Sequence, residues 1–196
     1  MPNKEKILVV GAGLCGSLLS LRLAQRGYNV ELVEKRQDMR NEQVDGGRSI
    51  NLAFSDRGIK GMKRVDLLKK VEKLCVPMHG RMLHDENGNT QLSKYSGREN
   101  EYINSISRSG LNSLLLDELD LYDNVEIHFN SPCKEVDLKN AEVEIEDQEN
   151  HQRTRLSADH LIGTDGAGSV VRRTMQQQRG FLFSHSQNFL PHGYKE

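Results

Sequence analysis

The chain begins with a pattern of apolar and glycine residues that predicts one β-α-β unit. Residues 6–10 (KILVV) form a short apolar run typical of a buried strand, and a group of glycines follows it. The next stretch, LLSLRLAQRG, carries apolar residues at helical spacing and stops at Gly27. The run NVELVE then predicts a second strand, so this part is typical of a parallel α/β sheet.

The middle of the chain predicts a different arrangement. Residues 37–47 are polar and typical of a loop, and Ser55 to Leu74 predicts two helical pieces. From Met78 to Ser107 the pattern becomes that of strands, with Asn87-Gly88 as a hairpin turn and EYINSIS as a third strand. We interpret this part as an antiparallel insertion.

The last third of the sequence predicts a return to the parallel sheet. Arg108 to Leu119 predicts a helix, VEIHFN a strand, and residues 133–155 an exposed meander with a solvated, charged face. DHLIGTDG is typical of a parallel strand, and Ser169 is a suitable first residue for a helix over VVRRTM. The elements together predict an α/β fold, a Rossmann-like domain with a parallel sheet and an antiparallel β insertion.

Composition and charge narrow the class of protein. The 27 basic and 28 acidic residues give a formal net charge of -1, so we expect neither nucleic acid nor an anionic membrane as a partner. The absence of an 18-residue apolar run and of a signal-peptide pattern indicates an intracellular, cytoplasmic protein. Cys15, Cys75 and Cys133 lie far apart without a C-x-x-C pair, which favours buried, reduced thiols over disulfides or a zinc site. His79 and His84 lack a second pair at metal spacing, so no metal site is expected.

The turn GAGLCG after the first strand has the residues that a dinucleotide site needs. Gly11 permits a sharp turn, Gly13 a close approach of a pyrophosphate to the backbone, and Gly16 close packing of helix and strand. The helix N-terminus then presents N–H groups to an anion. Glu34 ends the second strand 23 residues after Gly11 and is placed to bind ribose hydroxyls. Its carboxylate would repel the 2′-phosphate of NADP, so the pattern indicates the ribose of FAD or NAD.

A second turn, GTDGAGSVVRR, follows the last predicted strand. Taken alone, it fits a simple strand-to-helix connection as well as a ligand site. Ligands of parallel sheets bind at the carboxyl ends of strands, and both turns are predicted to open on the same edge. Gly16 and Gly168 are each followed by serine instead of the lysine of a phosphate loop, which argues against ATP or GTP hydrolysis.

The sequence resembles the FAD-dependent aromatic hydroxylases, whose second signature is an Asp-Gly turn followed by Ser-x-Val-Arg, here DGAGSVVR. More narrowly, it is similar to the N-terminal part of the kynurenine-hydroxylating members. The similar segments, in this order, are GAGLCGSL, GGRSINLAFSDRG, GRMLHDENG, SISRSGLNSLLLD, LIGTDGAGSVVR and PHGYKE. The resemblance implies a flavoprotein monooxygenase that uses FAD, NADPH and O₂ to convert L-kynurenine into 3-hydroxykynurenine, in tryptophan degradation and NAD biosynthesis.

The resemblance also implies a set of cofactor contacts, with both turns serving one FAD. The residues implied are Gly11, Gly13, Cys15 and Gly16 at the pyrophosphate, Glu34, Lys35 and Arg36 at the adenosine ribose, Ala53 at the flavin, Arg108 at a phosphate edge, Cys133 at the adenine end, and Asp165 at the pyrophosphate and ribityl chain. Two have structural alternatives, since Arg108 could only cap its helix or form an ion pair and Cys133 could only fill its strand. No catalytic acid or base is implied.

The resemblance also implies a substrate site, in which the family's carboxylate-binding arginine and ring-side tyrosine correspond to Arg81 and Tyr95, in the two arms of the predicted hairpin. A guanidinium can bind a carboxylate bidentately. Without the resemblance, an exposed arginine and a core tyrosine would be the better interpretation. We expect residues 1–76 and 108–180 to form the FAD-binding domain. Residues 77–107 and 181–196 are expected to belong to an incomplete substrate-binding β region.

The family has a further Gly-Asp-Ala-Ala-His segment and most of its substrate sheet after the point that corresponds to Glu196, so we expect a truncated chain. One alternative is therefore a partial FAD-binding module with little or no activity of its own. Another is an NAD-dependent dehydrogenase, which is disfavoured because the Asp165 turn and GGRSINLA have no role in such an enzyme.

Overall fold

The computed structural model describes residues 5–41, 51–98, 101–178, 180 and 184–193. The chain divides into two compact units, Met1–Val44 with Leu115–Glu196 as the first and Asp45–Leu114 as the second. Residues 46–50, which begin the segment GGRSINLAFSDRG, and residues 194–196, which end PHGYKE, lie outside the described residues. Within the described ranges, the helices are too short or too polar to cross a membrane.

The strands and helices are numbered in chain order. The strands are β1 (Lys6–Val10), β2 (Asn29–Val33), β3 (Asn51–Phe54), β4 (Val76–Met78), β5 (Gly80–His84), β6 (Thr90–Lys94), β7 (Ile103–Ser107), β8 (Val125–His128), β9 (Cys133–Asp137), β10 (Glu142–Glu146), β11 (Arg153–Ser157) and β12 (His160–Gly163). The helices are α1 (Leu14–Gln25), α2 (Asp56–Arg64), α3 (Leu68–Glu72), α4 (Arg108–Leu119) and α5 (Val170–Gln177).

The first unit contains a parallel sheet with the strand order β12-β1-β2-β8. The central strands β1 and β2 form because their short, mostly apolar runs are buried in a parallel sheet, and α1 packs against both of them. Strands β9, β10 and β11 form a separate antiparallel meander. The predicted parallel strand over DHLIGTDG and the predicted meander are both confirmed.

One core cluster lies between the parallel sheet, the meander and α5. Its buried residues are Leu8, Val10, Val33, Val143, Ile145, Leu156 and Val171. The opposite side of the meander carries charged residues, where Arg153 pairs with Glu144 at 2.8 Å and with Glu146 at 3.3 Å. Alternation of apolar and charged residues along β10 and β11 therefore gives the meander one buried and one solvated face.

The second unit holds two small antiparallel sheets, β3-β7-β4 and the hairpin β5-β6. The predicted hairpin is confirmed, with Gly88 of its turn at φ +81°. The predicted third strand, β7, pairs with β3 and β4 instead of the hairpin. The burial explains this choice, because Ile106 of β7 is 1% exposed in its sheet while residues 81–90 of the hairpin are exposed.

The turn between β9 and β10 offers a test of backbone strain. Ala141 has φ +53°, in the left-handed region that a residue with a Cβ rarely occupies. Ala141→Gly is expected to raise the free energy of unfolding by about 0.5 kcal/mol, because glycine adopts this conformation without the steric cost. Urea unfolding measures the change. Ala24→Gly in α1 is the control and should lower stability instead; a lower stability for both variants would contradict the prediction.

Candidate cofactor-binding site

The two glycine turns leave neighbouring strands at the same end of the parallel sheet. Val10 of β1 is the register partner of Gly163 of β12, and the Thr164 N–H donates to the Val10 carbonyl at 2.8 Å. A Cβ built on Gly11 would lie 2.8 Å from the Cα of Asp165. The prediction that the two turns are neighbours in space is confirmed.

The first turn brings backbone N–H groups to the surface at the start of α1. Gly11 has φ +103°, and its N–H donates to the Val33 carbonyl at 2.7 Å. Gly13 precedes α1, and no side-chain hydrogen bond caps this helix end within the part of the chain that the structure describes. A Cβ on Gly13 would meet no described atom within 4 Å. The turn therefore leaves both open space and N–H donors, which is what a pyrophosphate needs.

Glu34 directly follows β2 and lies against the first turn. Its side chain is buried; one carboxylate oxygen accepts from the Ala12 N–H at 2.9 Å, and the other accepts from the backbone N–H of Arg36 at 3.1 Å. The Arg36 Nε also approaches that second oxygen at 3.3 Å, while Lys35 is exposed beside it. Glu34 thus lies at the end of β2 beside the first turn, and its carboxylate orders that turn.

The second turn is ordered by Asp165. One carboxylate oxygen accepts from the Ser169 hydroxyl at 2.5 Å, and the other accepts from the Val170 N–H at 2.6 Å. Ser169 in turn accepts from the Arg172 N–H at 2.9 Å, which confirms the predicted start of α5 at this serine. Arg172 folds back and donates to the Ala167 carbonyl. The motif residues thus hold one another in a fixed turn before any ligand is considered.

The prediction that all three cysteines are buried is wrong, since Cys15 is exposed and the other two are only half-buried. Gly16 and Ser17 take the buried positions at the start of α1, so Cys15 is left exposed. Cys133 and Cys75 are half-buried. Burial and the nearby Asp165 carboxylate raise the pKa of Cys133 to about 12, and burial together with Glu72 raises the pKa of Cys75. Both thiols therefore stay protonated at neutral pH.

The remaining predicted site residues belong to the second unit. Ala53 is exposed on β3 opposite Ser105, and Arg108 is the exposed first residue of α4. In the hairpin, Arg81 pairs with Ser93, and the Tyr95 N–H donates to the His79 carbonyl at 3.1 Å. This register places Arg81 and Tyr95 on one face as diagonal neighbours.

Tyr95 is 44% exposed, so it is not the core tyrosine of the alternative interpretation. The centroid of the His79 ring lies 5.3 Å from that of the Tyr102 ring, and the two rings pack against each other. The hairpin therefore presents an arginine and a tyrosine on one face without burying either of them.

A charged cluster that the sequence pattern did not reveal joins β1, β2 and β8. Buried Glu31 contacts Lys6 Nζ at 2.6 Å and His128 Nε2 at 2.9 Å, and Glu126 lies 3.7 Å from the same histidine nitrogen. The hydrogen bond to Glu31 raises the pKa of His128 despite the opposing effect of burial. Burial alone would raise the pKa of Glu31, but the hydrogen bonds from His128 and Lys6 outweigh it and lower that pKa. Alternation with apolar residues marks β2 as a strand but does not indicate which strand neighbours meet Glu31.

Stability is expected to depend on pH through this pair. Because the pKa of His128 is raised, its protonated form stabilises the fold below about pH 6.5, and this contribution is lost as the imidazole loses its proton at higher pH. Because the pKa of Glu31 is lowered, its ionised form stabilises the fold above about pH 4.5. Between these values the pair should contribute roughly 1 kcal/mol. Thermal unfolding of His128→Gln between pH 5 and 9 should therefore lack the decline in stability that we expect for the unchanged protein as the pH rises above about 6.5. His160→Gln, at an exposed position, is the control; parallel curves for His128→Gln and the unchanged protein would refute the expectation.

The site defines a class of protein. Two adjoining turns at one sheet end, open space at Gly13, an uncapped helix start and a buried carboxylate at Glu34 suit a dinucleotide cofactor. Residues 4–188 match the family described as FAD binding domain, and the chain belongs to that family.

Among curated proteins, the chain is 45% identical over 192 residues to kynurenine 3-monooxygenase of Legionella pneumophila, which covers 98% of this chain and 42% of the relative. It is 39% identical to the Myxococcus xanthus protein of the same name, over 99% of this chain and 41% of the relative. The Drosophila melanogaster protein of that name is 37% identical, over 99% of this chain and 41% of the relative. The chain thus spans less than half the length of these relatives.

Solved structures support the fold. The p-nitrophenol 4-monooxygenase of Pseudomonas putida superimposes with a TM-score of 0.70 at 23% identity, over 88% of this chain and 43% of that one. The tetrameric form of 2-methyl-3-hydroxypyridine-5-carboxylic acid oxygenase superimposes with a TM-score of 0.69 at 21% identity, over 88% of this chain and 42% of that one. The predicted α/β fold, with its parallel sheet and antiparallel β insertion, is confirmed.

Proposed function

We propose that this chain is the FAD-binding part of a flavoprotein monooxygenase that uses NADPH and O₂ to hydroxylate L-kynurenine to 3-hydroxykynurenine. The observation that carries the proposal is the adjacency of the GAGLCG and DGAGS turns at one end of the parallel sheet. The similarity to kynurenine 3-monooxygenases over 98% of the chain supports the substrate. Membership of the FAD binding domain family weighs against an NAD-dependent dehydrogenase.

The first unit would hold the cofactor with backbone groups more than with charges. The N–H groups at the start of α1 would bind the pyrophosphate where Gly13 leaves space, with Gly11, Cys15 and Gly16 around it. Glu34 would accept from ribose hydroxyls while it keeps the Ala12 N–H as a partner. Bound FAD would supply the redox and oxygen chemistry, and the protein supplies position and exclusion of water.

Further proposed contacts with FAD come from residues outside the glycine turns. They are Lys35, Arg36, Cys133 and Asp165 in the first unit and Ala53 and Arg108 in the second. Cys133 would contribute an uncharged thiol, because its pKa is about 12. The Asp165 carboxylate accepts hydrogen bonds from the Ser169 hydroxyl and the Val170 N–H, so we propose that it orders the second turn for the cofactor.

The substrate would bind through the hairpin of the second unit. Arg81 in β5 and Tyr95, directly after β6, lie on one face of the hairpin. A guanidinium and an aromatic ring could therefore bind one amino acid that has a carboxylate and an aromatic ring. We retain the division of roles proposed from the sequence, with residues 77–107 and 181–196 serving the substrate. The cytoplasmic location inferred from the sequence stays a prediction.

A second candidate function is a FAD-binding module with little turnover of its own. It is favoured by one observation, that the chain spans 42% of the length of the Legionella pneumophila relative. Both candidates require FAD, so the yellow flavin spectrum of the purified chain tests them together. Kynurenine-dependent oxidation of NADPH then separates them, because colour without turnover supports the module alone and the absence of colour contradicts both.

Alkylation of Cys15 tests cofactor position without turnover. Cys15 is exposed in the first turn of α1, whereas the raised pKa values of Cys75 and Cys133 keep those thiols protonated. Iodoacetamide at pH 8 is therefore expected to modify Cys15 first, and saturating FAD should slow this modification at least about tenfold because the pyrophosphate would cover it. Peptide mass spectrometry measures both rates. Adenosine, which has no phosphate, is the control ligand; equal rates with and without FAD would contradict the placement.

A further inference from the structure

Thr164 lies where the two glycine turns meet. It follows β12, and its side-chain hydroxyl lies 2.9 Å from the Val10 carbonyl oxygen and 2.7 Å from the Gly11 carbonyl oxygen. Its backbone N–H also donates to Val10, at 2.8 Å. The side chain therefore links the second turn to the backbone of the first by a hydrogen bond beyond the regular pairing of β1 with β12.

The Gly11–Ala12 peptide is held from both of its sides. The hydroxyl of Thr164 contacts the carbonyl oxygen of this peptide, and the Glu34 carboxylate accepts from its N–H at 2.9 Å. Because a trans peptide is planar, its C=O and N–H point in opposite directions and both partners fix the same plane. The orientation of this plane determines how the chain enters Gly13 and the first turn of α1.

Thr164 also lies close to two glycines of the first turn, through its hydroxyl at Gly16 and through its backbone at Gly11. A Cβ on Gly16 would lie 2.6 Å from Thr164 Oγ1, and a Cβ on Gly11 would lie 2.7 Å from the Thr164 carbonyl oxygen. A β-branched side chain also has a restricted χ1, so the hydroxyl has little freedom to leave its two acceptors. The contact is therefore a fixed part of the packing between α1, β1 and β12.

We propose that Thr164 is a positioning residue for FAD: its hydroxyl sets the Gly11–Ala12 peptide so that the N–H groups at the start of α1 face the pyrophosphate. The inference rests on the proposed function, and it assigns Thr164 no contact with the cofactor. Through this contact the second turn would influence the binding of phosphate by the first. A β-branched hydroxyl residue directly before Asp165 is the sequence signal for this role.

The test compares three variants of the full 196-residue chain. Thr164→Val keeps the shape and removes the hydroxyl, Thr164→Ser keeps the hydroxyl, and Thr174→Val removes a hydroxyl that donates to the Val170 carbonyl at 3.0 Å within α5. FAD affinity is measured by flavin fluorescence, and thermal unfolding of the cofactor-free chain is measured in parallel. Thr164→Val should weaken FAD binding about 5- to 30-fold, while the other two should stay within about twofold of the unchanged protein.

Hydrogen exchange of the cofactor-free chain adds a readout that does not depend on FAD. The Ala12 amide should exchange faster in Thr164→Val, while the amides of Leu8 and Val9 in β1 should keep their protection. Thr164→Ala replaces the valine variant if that variant does not fold. The proposal would be overturned if Thr164→Val left both FAD affinity and Ala12 exchange unchanged. It would also be overturned if Thr164→Ser lost as much FAD affinity as Thr164→Val. If the unchanged protein does not bind FAD, the proposed function is refuted instead. In that case, equal exchange of the Ala12 amide in Thr164→Val and in the unchanged protein would refute the positioning role separately.

Discussion

Gly16→Ala is expected to lower the free energy of unfolding by at least about 3 kcal/mol and to abolish measurable FAD binding. A Cβ at this position would lie 1.9 Å from the Gly11 carbonyl oxygen and 2.6 Å from Thr164 Oγ1. The first of these atoms belongs to the backbone, so α1 and the glycine turn would have to separate. Because α1 packs on β1 and β2, that separation would also disturb the parallel sheet. Urea unfolding and flavin fluorescence measure the two effects.

Gly13→Ala separates the folding role of this turn from its binding role. Gly13 has an ordinary negative φ of -71°, and an added Cβ would enter open space, so the change should alter stability by less than about 1 kcal/mol. The same Cβ would occupy the space proposed for the pyrophosphate and should weaken FAD binding at least about tenfold. FAD affinity equal to that of the unchanged protein in Gly13→Ala would contradict the proposed position of the cofactor. Stability equal to that of the unchanged protein in Gly16→Ala would contradict the packing argument.

Asp165→Ala is expected to lower both stability and FAD affinity, though less than Gly16→Ala does. The change removes the acceptors of the Ser169 hydroxyl and the Val170 N–H, which lie at 2.5 and 2.6 Å. Loss of these bonds at the start of α5 should cost about 2 kcal/mol of stability. FAD affinity should fall at least about tenfold as well, because the second turn would lose its fixed shape beside the first.

Asp137→Ala is the matched control for this variant. The Asp137 carboxylate also accepts from backbone N–H groups, those of Lys139 at 2.9 Å and Asn140 at 3.2 Å, but it lies in the turn of the meander. We expect a modest loss of stability and unchanged FAD affinity. If both aspartate variants lowered FAD affinity equally, the effect would come from general destabilisation, and the assignment of Asp165 to the site would fail.

Local patterns were sufficient for the elements that form from nearby residues. Helical spacing of apolar residues predicted α1 and α4, the Asn87-Gly88 pair predicted the hairpin, and Ser169 predicted the start of α5. Each of these features depends on residues within a few positions of one another. The two motif turns could also be placed at one edge in advance, since parallel strands end on the same side of their sheet.

Other features depend on residues that are distant in the chain. The partners of β7 were not predictable from its own pattern, because β3 and β4, which occupy its two edges, lie far from it in the chain. The exposure of Cys15 was mispredicted, because cysteine is usually buried, while at the start of α1 the buried positions are those of Gly16 and Ser17. The Glu31 and His128 pair was missed because 97 residues separate its members.

The sequence by itself determined the class of fold, the position of both glycine turns and the residue types offered to a dinucleotide, because glycine freedom, strand patterning and helix starts are local properties. Only the tertiary structure decided that Thr164 and Glu34 hold opposite sides of one peptide and that Glu31 meets Lys6 and His128. Such contacts join residues that are distant in the chain, and they depend on how separate strands and helices pack together, which a pattern of neighbouring residues does not specify.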